Sequence, residues 1–269
     1  MKVRLLVSIL SLAVPLSLAA QGAAPPSPSP GTGAKAPAAP SGGTVKVPAA
    51  TPANRPSPPQ AGAGDLKAVL AQMNAAAAHF KSAQADFEWD QYQKVVNETD
   101  VQSGEIYFRR SGSGTDAAVR VAKPDAKEVV FSAKEGRLSL YQPKIDQVTE
   151  YQAGGNKTLV ESFMSLGFGA SGDDLLKNYD IKMDGWENVD GTRTARLDMV
   201  PKSEKVRASV NRVVLWIDPE RNVSLKQQFF EPAGDYRLTH YTNIRLNTRV
   251  PDSAFRLKTT SKTRVVRPQ

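Results

Sequence analysis

Apolar residues recur at helical spacing from about residue 65, at i, i+3, i+4 and i+7, which predicts one buried helix face. Asp65 stands in the first turn, where a carboxylate suits the positive end of the helix dipole. We therefore expect an amphipathic helix whose apolar face consists of Leu66, Val69, Leu70, Met73, Ala77 and Phe80.

After Ser82 the period of the pattern changes to two, which is typical of a strand with one apolar face. The first strand places Ala85, Phe87 and Trp89 on one face, opposite acidic residues. The second places Ile106, Phe108 and Arg110 on one face, opposite Glu105, Tyr107 and Arg109. Further strands are predicted at 118–123, 128–133, 137–141, 145–151, 179–183, 192–200, 212–218, 223–231 and 236–247.

Short turn sequences join most of these strands, so neighbours along the chain should pair antiparallel. The tripeptide at 134–136 (KEG) marks a hairpin. Residues 156–177 interrupt the meander with two helical stretches, for which Asn156 and Ser171 are the predicted caps. A meander of about ten strands curls, and helices can then fill its concave side, so the fold class is α+β.

The N-terminal end has the plan of a secretory signal peptide. Lys2 and Arg4 precede an apolar run over residues 5–20, which falls short of the roughly 20 apolar residues of a spanning helix. Small residues close this run, so residues 1–20 are assigned to the signal peptide. Export to the periplasm and release as a soluble protein are expected.

The next part of the chain divides into a linker and a domain. Residues 21–64 are almost wholly Ala, Pro, Ser and Gly, a composition that offers too little apolar surface to fold. We expect a disordered linker there. Residues 65–269 are enough for one domain with a sizeable core.

Composition removes several classes of function. The chain has no cysteine, which excludes disulfides and the lipidated cysteine of a lipoprotein. Its net charge of +8 would indicate nucleic acid in a cytosolic protein, but export argues against that partner. Anionic lipid head groups, an acidic protein or an ordinary solvated surface remain as explanations of the charge.

Three segments carry a resemblance to a known family: YFRRSG (107–112), VRVAKPD (119–125) and KEGRLSLYQPKIDQVTEY (134–151). They resemble the periplasmic outer-membrane lipoprotein carrier family, LolA, in which a Tyr-x-Pro segment ends in Gln-Val-Thr. VPDSAFRL (250–257) is similar to the closing element of that family. Two departures are Ser111, where the family has proline, and valines at 119 and 121, where it has aromatic residues.

The resemblance implies an incomplete antiparallel β-barrel whose helices form a lid over a hydrophobic cavity for acyl chains. Arg110 matches the functional arginine of the family and would hold the lid closed as a latch, through carbonyls near the end of the 156–166 helix. The candidate cavity residues are Phe87, Trp89, Ile106, Phe108, Val119, Val121, Leu138, Leu140, Leu159, Phe163 and Leu166. Periodicity cannot tell such a hollow from a packed core.

The alternation of side chains along a strand gives independent support for an inward-facing Arg110. An unbroken strand places Arg110 on the same face as Phe108 and places Arg109 on the other face. The other possibility is that the strand ends near Arg110 and the side chain reaches solvent. An inward guanidinium is costly unless it is paired, so the two alternatives predict different surroundings.

The expected function is a periplasmic carrier that shuttles the acyl chains of lipoproteins or other lipids from the inner to the outer membrane. The resemblance implies an inner-membrane releasing transporter and an outer-membrane acceptor as partners of a monomeric carrier. We expect no enzyme activity, no cofactor, no metal and no nucleic acid, since His79 and His240 lie far apart in the sequence and GFGASG (167–172) lacks a following Lys-Ser/Thr. A LolA-like sensory module, and below it a secreted hydrolase, are the alternatives.

Overall fold

The computed structural model describes residues 63–112 and 114–268, which form one twelve-stranded sheet and four helices. The predicted signal peptide, and the predicted linker up to residue 62, lie outside the described residues. No helix within the described ranges combines the length and the apolar character that crossing a membrane requires.

The strands follow one another as a meander, with two pairings between strands that are not consecutive in the chain. The sheet order is β12-β6-β5-β4-β3-β2-β1-β11-β10-β9-β8-β7, so β11 pairs with β1 and joins the two halves. All pairs are antiparallel except β12 with β6. The strands are β1 (Ser82–Gln93), β2 (Glu98–Ser111), β3 (Gly114–Lys123), β4 (Lys127–Ser132), β5 (Arg137–Gln142), β6 (Gln147–Gln152), β7 (Tyr179–Val189), β8 (Thr192–Pro201), β9 (Arg212–Asp218), β10 (Val223–Phe230), β11 (Tyr236–Leu246) and β12 (Arg264–Val266).

Four helices accompany the sheet: α1 (Ala63–His79), α2 (Lys157–Met164), α3 (Gly172–Asn178) and α4 (Glu204–Arg207). The predicted cap of α3 is confirmed, because the Ser171 side chain accepts a hydrogen bond from the Asp174 amide at 3.0 Å. A short 3-10 turn, Gly154–Asn156, precedes α2, and the side chain of Asn156 is outside what the structure describes. Most of the amphipathic face predicted for α1 is buried, with Met73 fully enclosed, whereas Leu66 is only partly buried and Phe80 lies just beyond the end of the helix.

Helices α1 and α2 lie on two halves of the same face of the sheet. Helix α1 contacts α3 and β7, and its apolar residues join a cluster with Leu197, Leu215 and Ile217 of β8 and β9. Helix α2 contacts β3, and its Val160 and Met164 join a second cluster built on β1 to β5. The predicted fold class is confirmed: an open, incomplete barrel of antiparallel strands with helices on one side.

One strand departs from the prediction of about ten antiparallel strands. The last strand, β12, pairs parallel to β6 after a turn in which Asp146 accepts hydrogen bonds from the hydroxyls of Thr260 and Thr263 at 2.9 and 2.6 Å. The bond from Thr263 holds the pKa of Asp146 below its usual value. Three residues with no alternation give no strand signal, which is why the pattern did not predict β12.

Candidate functional site

A small apolar cavity lies between helix α2 and the sheet face that it covers. The volume within the cavity that the centres of water molecules can occupy is about 40 Å³. One water molecule requires roughly 10–15 Å³ on this measure, so the cavity has room for a few waters. Its walls come from strands of both halves of the sheet and from the segment around α2. They are Trp89, Ile106, Val119, Val129, Phe163, Met164, Leu166, Gln227, Phe229, Arg237 and Tyr241.

The candidate cavity residues divide between this wall and the core around it. Those in the wall are Trp89, Ile106, Val119, Phe163 and Leu166. Those buried in the surrounding cluster without reaching the cavity are Phe87, Phe108, Val121 and Leu138. Leu140 is half-buried and packs against the same cluster, and the side chain of Leu159 lies outside what the structure describes. The face is therefore mostly packed around a small hollow.

The structure adds six wall residues that sequence reasoning did not name: Val129, Met164, Gln227, Phe229, Arg237 and Tyr241. Four of them belong to β10 and β11. In β11 the residues that face the cavity side include Arg237, Thr239 and Tyr241, which are no more apolar than their outward neighbours. The alternation of residues therefore does not predict which face of β11 is inward. In β10, Gln227 lies at the same alternate positions as the apolar residues Val223, Leu225 and Phe229, so it shares their face of the strand. This pattern could have predicted that Gln227 faces the cavity.

Arg237 is the charged member of the wall. Its guanidinium carbon lies 5.1 Å from the ring centre of Trp89 and 5.0 Å from that of Phe229, both within the range of cation–π attraction. Burial lowers the pKa of Arg237, while the nearby Tyr241 and Glu231 oppose that shift. A guanidinium keeps its charge in proteins, so Arg237 is cationic at neutral pH.

Arg110 lies on the sheet face that the helices cover and contacts two of the segments on that face. Strand β2 ends at Ser111, one residue after Arg110, and Arg110 is an exposed residue, so the strand does end near it as the second alternative predicts. Its guanidinium donates to the carbonyl of Ala77 at 2.7 Å and to that of Gly169 at 2.9 Å. It also lies 5.2 Å from the Phe80 ring centre. One acceptor, Gly169, thus lies three residues after the predicted 156–166 helix, near its end, and the other belongs to the last turn of α1, which was not predicted.

Arg109 points to the opposite face, as parity predicts. Its guanidinium pairs with Asp252 at 2.6 Å and with Asp116 at 3.3 Å, and it lies 4.3 Å from the Phe255 ring centre. The two neighbouring arginines therefore have different surroundings, one against the helices and the other against the C-terminal segment.

Residues 166–170, which we call the anchor segment, connect α2 to α3 and carry several ties to the sheet. The carbonyl of Leu166 accepts from Gln227 Nε2 at 2.8 Å, and that of Ala170 from Asn222 Nδ2 at 3.0 Å. The Gly167 carbonyl accepts from the Ser224 amide at 2.7 Å. With Arg110 on Gly169, four carbonyls of this segment are held by β2 and by residues 222–227.

The glycines of the anchor segment are required by geometry. Gly167 and Gly169 have φ angles of +81° and +76°, a region that favours glycine. A Cβ on Gly169 would come within 2.4 Å of the Phe80 ring, and one on Gly167 within 2.3 Å of Gln227. Between them, Phe168 stacks on Phe108 and meets Tyr241 edge-on, with ring centres 4.8 and 4.9 Å apart. GFGASG is thus a close-packed turn.

Helix α2 is held in another way. Val160, Phe163 and Met164 face the sheet, and Phe163 contacts Phe229 with ring centres 5.2 Å apart. Glu161 Oε1 accepts from the Thr115 amide of β3 at 2.5 Å. The helix is therefore a mainly apolar cover over the cavity.

The two histidines lie in different parts of the fold. His240 pairs with Asp190 at 2.5 Å on the outer face, and His79 ends α1. Among residues 63–112 and 114–268, no group of His, Asp or Glu is arranged to hold a metal ion.

Comparison with known proteins gives likeness in structure alone. No protein-family model matches the chain, and no curated protein matches it. It is similar to a solved structure of MucB at 16% identity, with a TM-score of 0.48, over 76% of this chain and 66% of that one. The Pseudomonas aeruginosa MucA/MucB complex matches at 16% identity and a TM-score of 0.44, over 72% of this chain and 61% of that chain. A LolA superfamily protein from Nitrosomonas europaea matches at 12% identity and a TM-score of 0.36, over 71% and 97%.

Proposed function

We propose that this chain is a periplasmic carrier that binds the acyl chain of a lipoprotein or another lipid between the sheet and helix α2, and shuttles it from the inner to the outer membrane. The observation that carries the proposal is the apolar cavity covered by α2, with Arg110 tying the adjoining segments to the sheet. The N-terminal plan of an exported protein agrees with this location.

The energetics of lipid transfer explain why such a carrier is needed. Each methylene group that enters water costs about 0.8 kcal/mol, so a chain of roughly 16 carbons costs on the order of 10 kcal/mol. A cavity of about 40 Å³ has no room for that chain, so binding requires α2 to move away from the sheet. The apolar face of α2 and the cavity wall would then enclose the cargo.

Arg110 has the role of a latch in this proposal. Its two bonds to carbonyls of α1 and the anchor segment fix the base from which α2 closes, and a firmly closed α2 competes with bound cargo. Five donors on a planar, always charged group suit such a bond to two carbonyls at once. The latch therefore favours release of cargo to an acceptor.

The proposed partners are an inner-membrane transporter that loads the carrier and an outer-membrane acceptor that unloads it. The energy of transfer would come from these partners, and the carrier itself would act as a monomer without enzymatic chemistry. A sensory module, in which the same face binds a regulatory protein, is the competing outcome of the tests below.

The first test is mass spectrometry of lipid extracted from the full chain after native purification. Lipid at about one molecule per protein supports the carrier. Protein that is free of lipid, and that takes up none from vesicles of phosphatidylethanolamine and phosphatidylglycerol, contradicts it and favours a sensory module.

The second test measures transfer of a labelled lipoprotein from carrier to acceptor membranes with Arg110→Leu and Arg109→Leu. Loss of two hydrogen bonds from a charged donor weakens closure by roughly 1–3 kcal/mol, so Arg110→Leu should retain cargo and transfer it about tenfold more slowly. Arg109→Leu, on the other face, is the matched control and should transfer as the wild type does. Equal rates in all three proteins, or equal defects in both variants, would remove the latch from the proposal.

A further inference from the structure

A row of polar residues crosses four strands on the sheet face that helix α2 covers. Trp89 of β1 lies directly opposite Gln102 of β2 on one side and opposite Thr239 of β11 on the other. Thr239 in turn lies opposite Gln227 of β10. Side chains directly opposite each other in a ladder point to the same face, so all four share the face of Trp89, which belongs to the cavity wall.

The two ends of this row differ in how their polar atoms are satisfied. At the β10 end, Gln227 Nε2 donates to the Leu166 carbonyl at 2.8 Å, and Gln227 Oε1 accepts from the Tyr241 hydroxyl at 3.3 Å. At the β2 end, Trp89 is 6% exposed and Gln102 is 7% exposed. The indole Nε1 of the first and the amide Oε1 of the second have no hydrogen-bond partner in the part of the chain that the structure describes.

The chemistry of these two atoms selects the group that would satisfy both. An indole N–H can only donate, and an amide oxygen can only accept. An ester or a carboxylate offers acceptors alone, and an ammonium offers donors alone, whereas a hydroxyl accepts and donates at once. Opposite side chains have Cβ atoms about 4.5–5.5 Å apart, a span that two hydrogen bonds through one oxygen atom can bridge.

We propose that Trp89 and Gln102 form a binding site for the hydroxyl of an uncharged single-chain amphiphile, such as a monoacylglycerol or a long-chain alcohol, whose alkyl chain lies under α2. Both residues belong to strands of the sheet, so the site keeps its position when α2 moves away. The inference rests on the proposed function, since it assumes that acyl chains enter the cavity. It adds a head-group preference: a hydroxyl in place of an ester on the same chain.

The test compares two uncharged fluorescent probes that share one chain, cis-parinaryl alcohol and methyl cis-parinarate, on the delipidated full chain. A purely apolar cavity gives the alcohol no advantage, because its hydroxyl loses hydrogen bonds with water on entering. The wild type should bind the alcohol roughly 10-fold more tightly than the ester, as expected when one ligand group makes two hydrogen bonds to buried atoms. In competition, 1-monopalmitoylglycerol should displace the bound alcohol at lower concentration than methyl palmitate does.

Trp89→Phe and Gln102→Leu should each abolish the preference for the alcohol and change ester binding far less. Gln102→Leu should also leave the melting temperature unchanged or raise it, because the amide oxygen that it removes has no partner to lose. A glutamine with a merely structural role would show the opposite result, a lower melting temperature with the preference intact.

The chain offers a matched control for each variant. The Trp216 indole donates to Glu187 Oε2 at 2.7 Å and lies outside the cavity wall, so Trp216→Phe should lower the melting temperature and keep the preference for the alcohol. Gln228 lies on the other face of β10 from Gln227, so Gln228→Leu should keep the preference as well.

Equal affinity of the wild type for alcohol and ester would overturn this inference and leave the proposed function standing. Failure of the wild type to bind either probe would overturn both. If circular dichroism shows that one of the two variants does not fold, the wild-type ratio of alcohol to ester affinity and its loss in the other variant decide the question.

Discussion

The anchor segment and helix α2 are neighbours along the chain, yet they are attached to the sheet by different forces. The anchor segment, residues 166–170, has four carbonyls that accept hydrogen bonds from β2 and from residues 222–227, and its Phe168 is 1% exposed. Helix α2 covers the cavity mainly with apolar side chains, and Glu161 adds a bond to β3.

The difference indicates which part of the lid can move. Hydrogen bonds are directional, and breaking several buried ones together leaves polar groups unpaired at about 1–3 kcal/mol each. Apolar contacts are not directional, and a lipid chain can replace those that α2 makes with the cavity wall. We therefore expect α2 to swing about the anchor segment while that segment stays in place.

The largest difference in stability is expected when a phenylalanine is truncated to alanine in the anchor segment and, for comparison, in α2. Phe168→Ala removes a ring stacked between Phe108 and Tyr241, in surroundings fixed by hydrogen bonds, and should lower the free energy of unfolding by about 3–5 kcal/mol. Phe163→Ala in α2 should cost less than half as much, because the helix can shift to fill the space. Urea unfolding measures both, and equal losses would mean that α2 is as fixed as the anchor segment.

Much of this architecture follows from the sequence. Helical spacing predicted the buried face of α1, including Met73, and alternation placed Phe108 and Arg110 on one face of β2 and Arg109 on the other. These predictions succeeded because burial on one face imposes a period that the residues display. The acceptors of Arg110 could not be predicted, since they are backbone carbonyls whose positions depend on how the glycine turn at 167–169 folds.

Removing a side-chain tie without disturbing the backbone should give an intermediate effect. Asn222 is 2% exposed, has a φ of 52°, and donates to the carbonyls of Met73 and Ala170. Asn222→Gly keeps that conformation accessible but loses both bonds, which should lower the free energy of unfolding by about 1–3 kcal/mol. Asn222→Ala should cost roughly 1–2 kcal/mol more, because alanine is disfavoured at positive φ.

The same thermal or urea measurement serves both variants. A loss for Asn222→Gly below about 0.5 kcal/mol would show that the two bonds do not fix α1 to the anchor segment, since surface changes away from such features stay within that range.

Arg237 in the cavity wall is the residue that sequence reasoning missed, and the reason is physical. Arg237 lies on the inward face of a strand whose two faces are equally polar, so neither parity nor hydrophobicity predicts its direction. Its position follows from the pairing of β11 with β1 and β10, contacts between residues about 145 and 10 positions apart that no local pattern encodes. The size of the cavity cannot be predicted either, because strands that line a cavity and strands that line a packed core show the same alternation of apolar and polar residues.

The smallest effect on stability is expected from removing the hydrogen bond between Glu161 of α2 and β3, and this change tests directly whether α2 opens separately from the anchor segment. Glu161→Ala removes the acceptor of the Thr115 amide, worth about 0.5–1.5 kcal/mol net, so the global free energy of unfolding should change little. Opening of α2 should become about 2–10-fold more frequent, which hydrogen exchange of its amides reports. The Phe168 amide, bonded to the Ser165 carbonyl at 2.8 Å beside the anchored turn, should exchange as in the wild type. Glu161→Gln keeps an acceptor oxygen, so the exchange rate of its α2 amides should lie between the rates of the wild type and of Glu161→Ala. Faster exchange at Phe168 to the same degree as in α2 would mean that lid and anchor open as one unit, and the cavity would then have to load by release of the whole segment from Arg110.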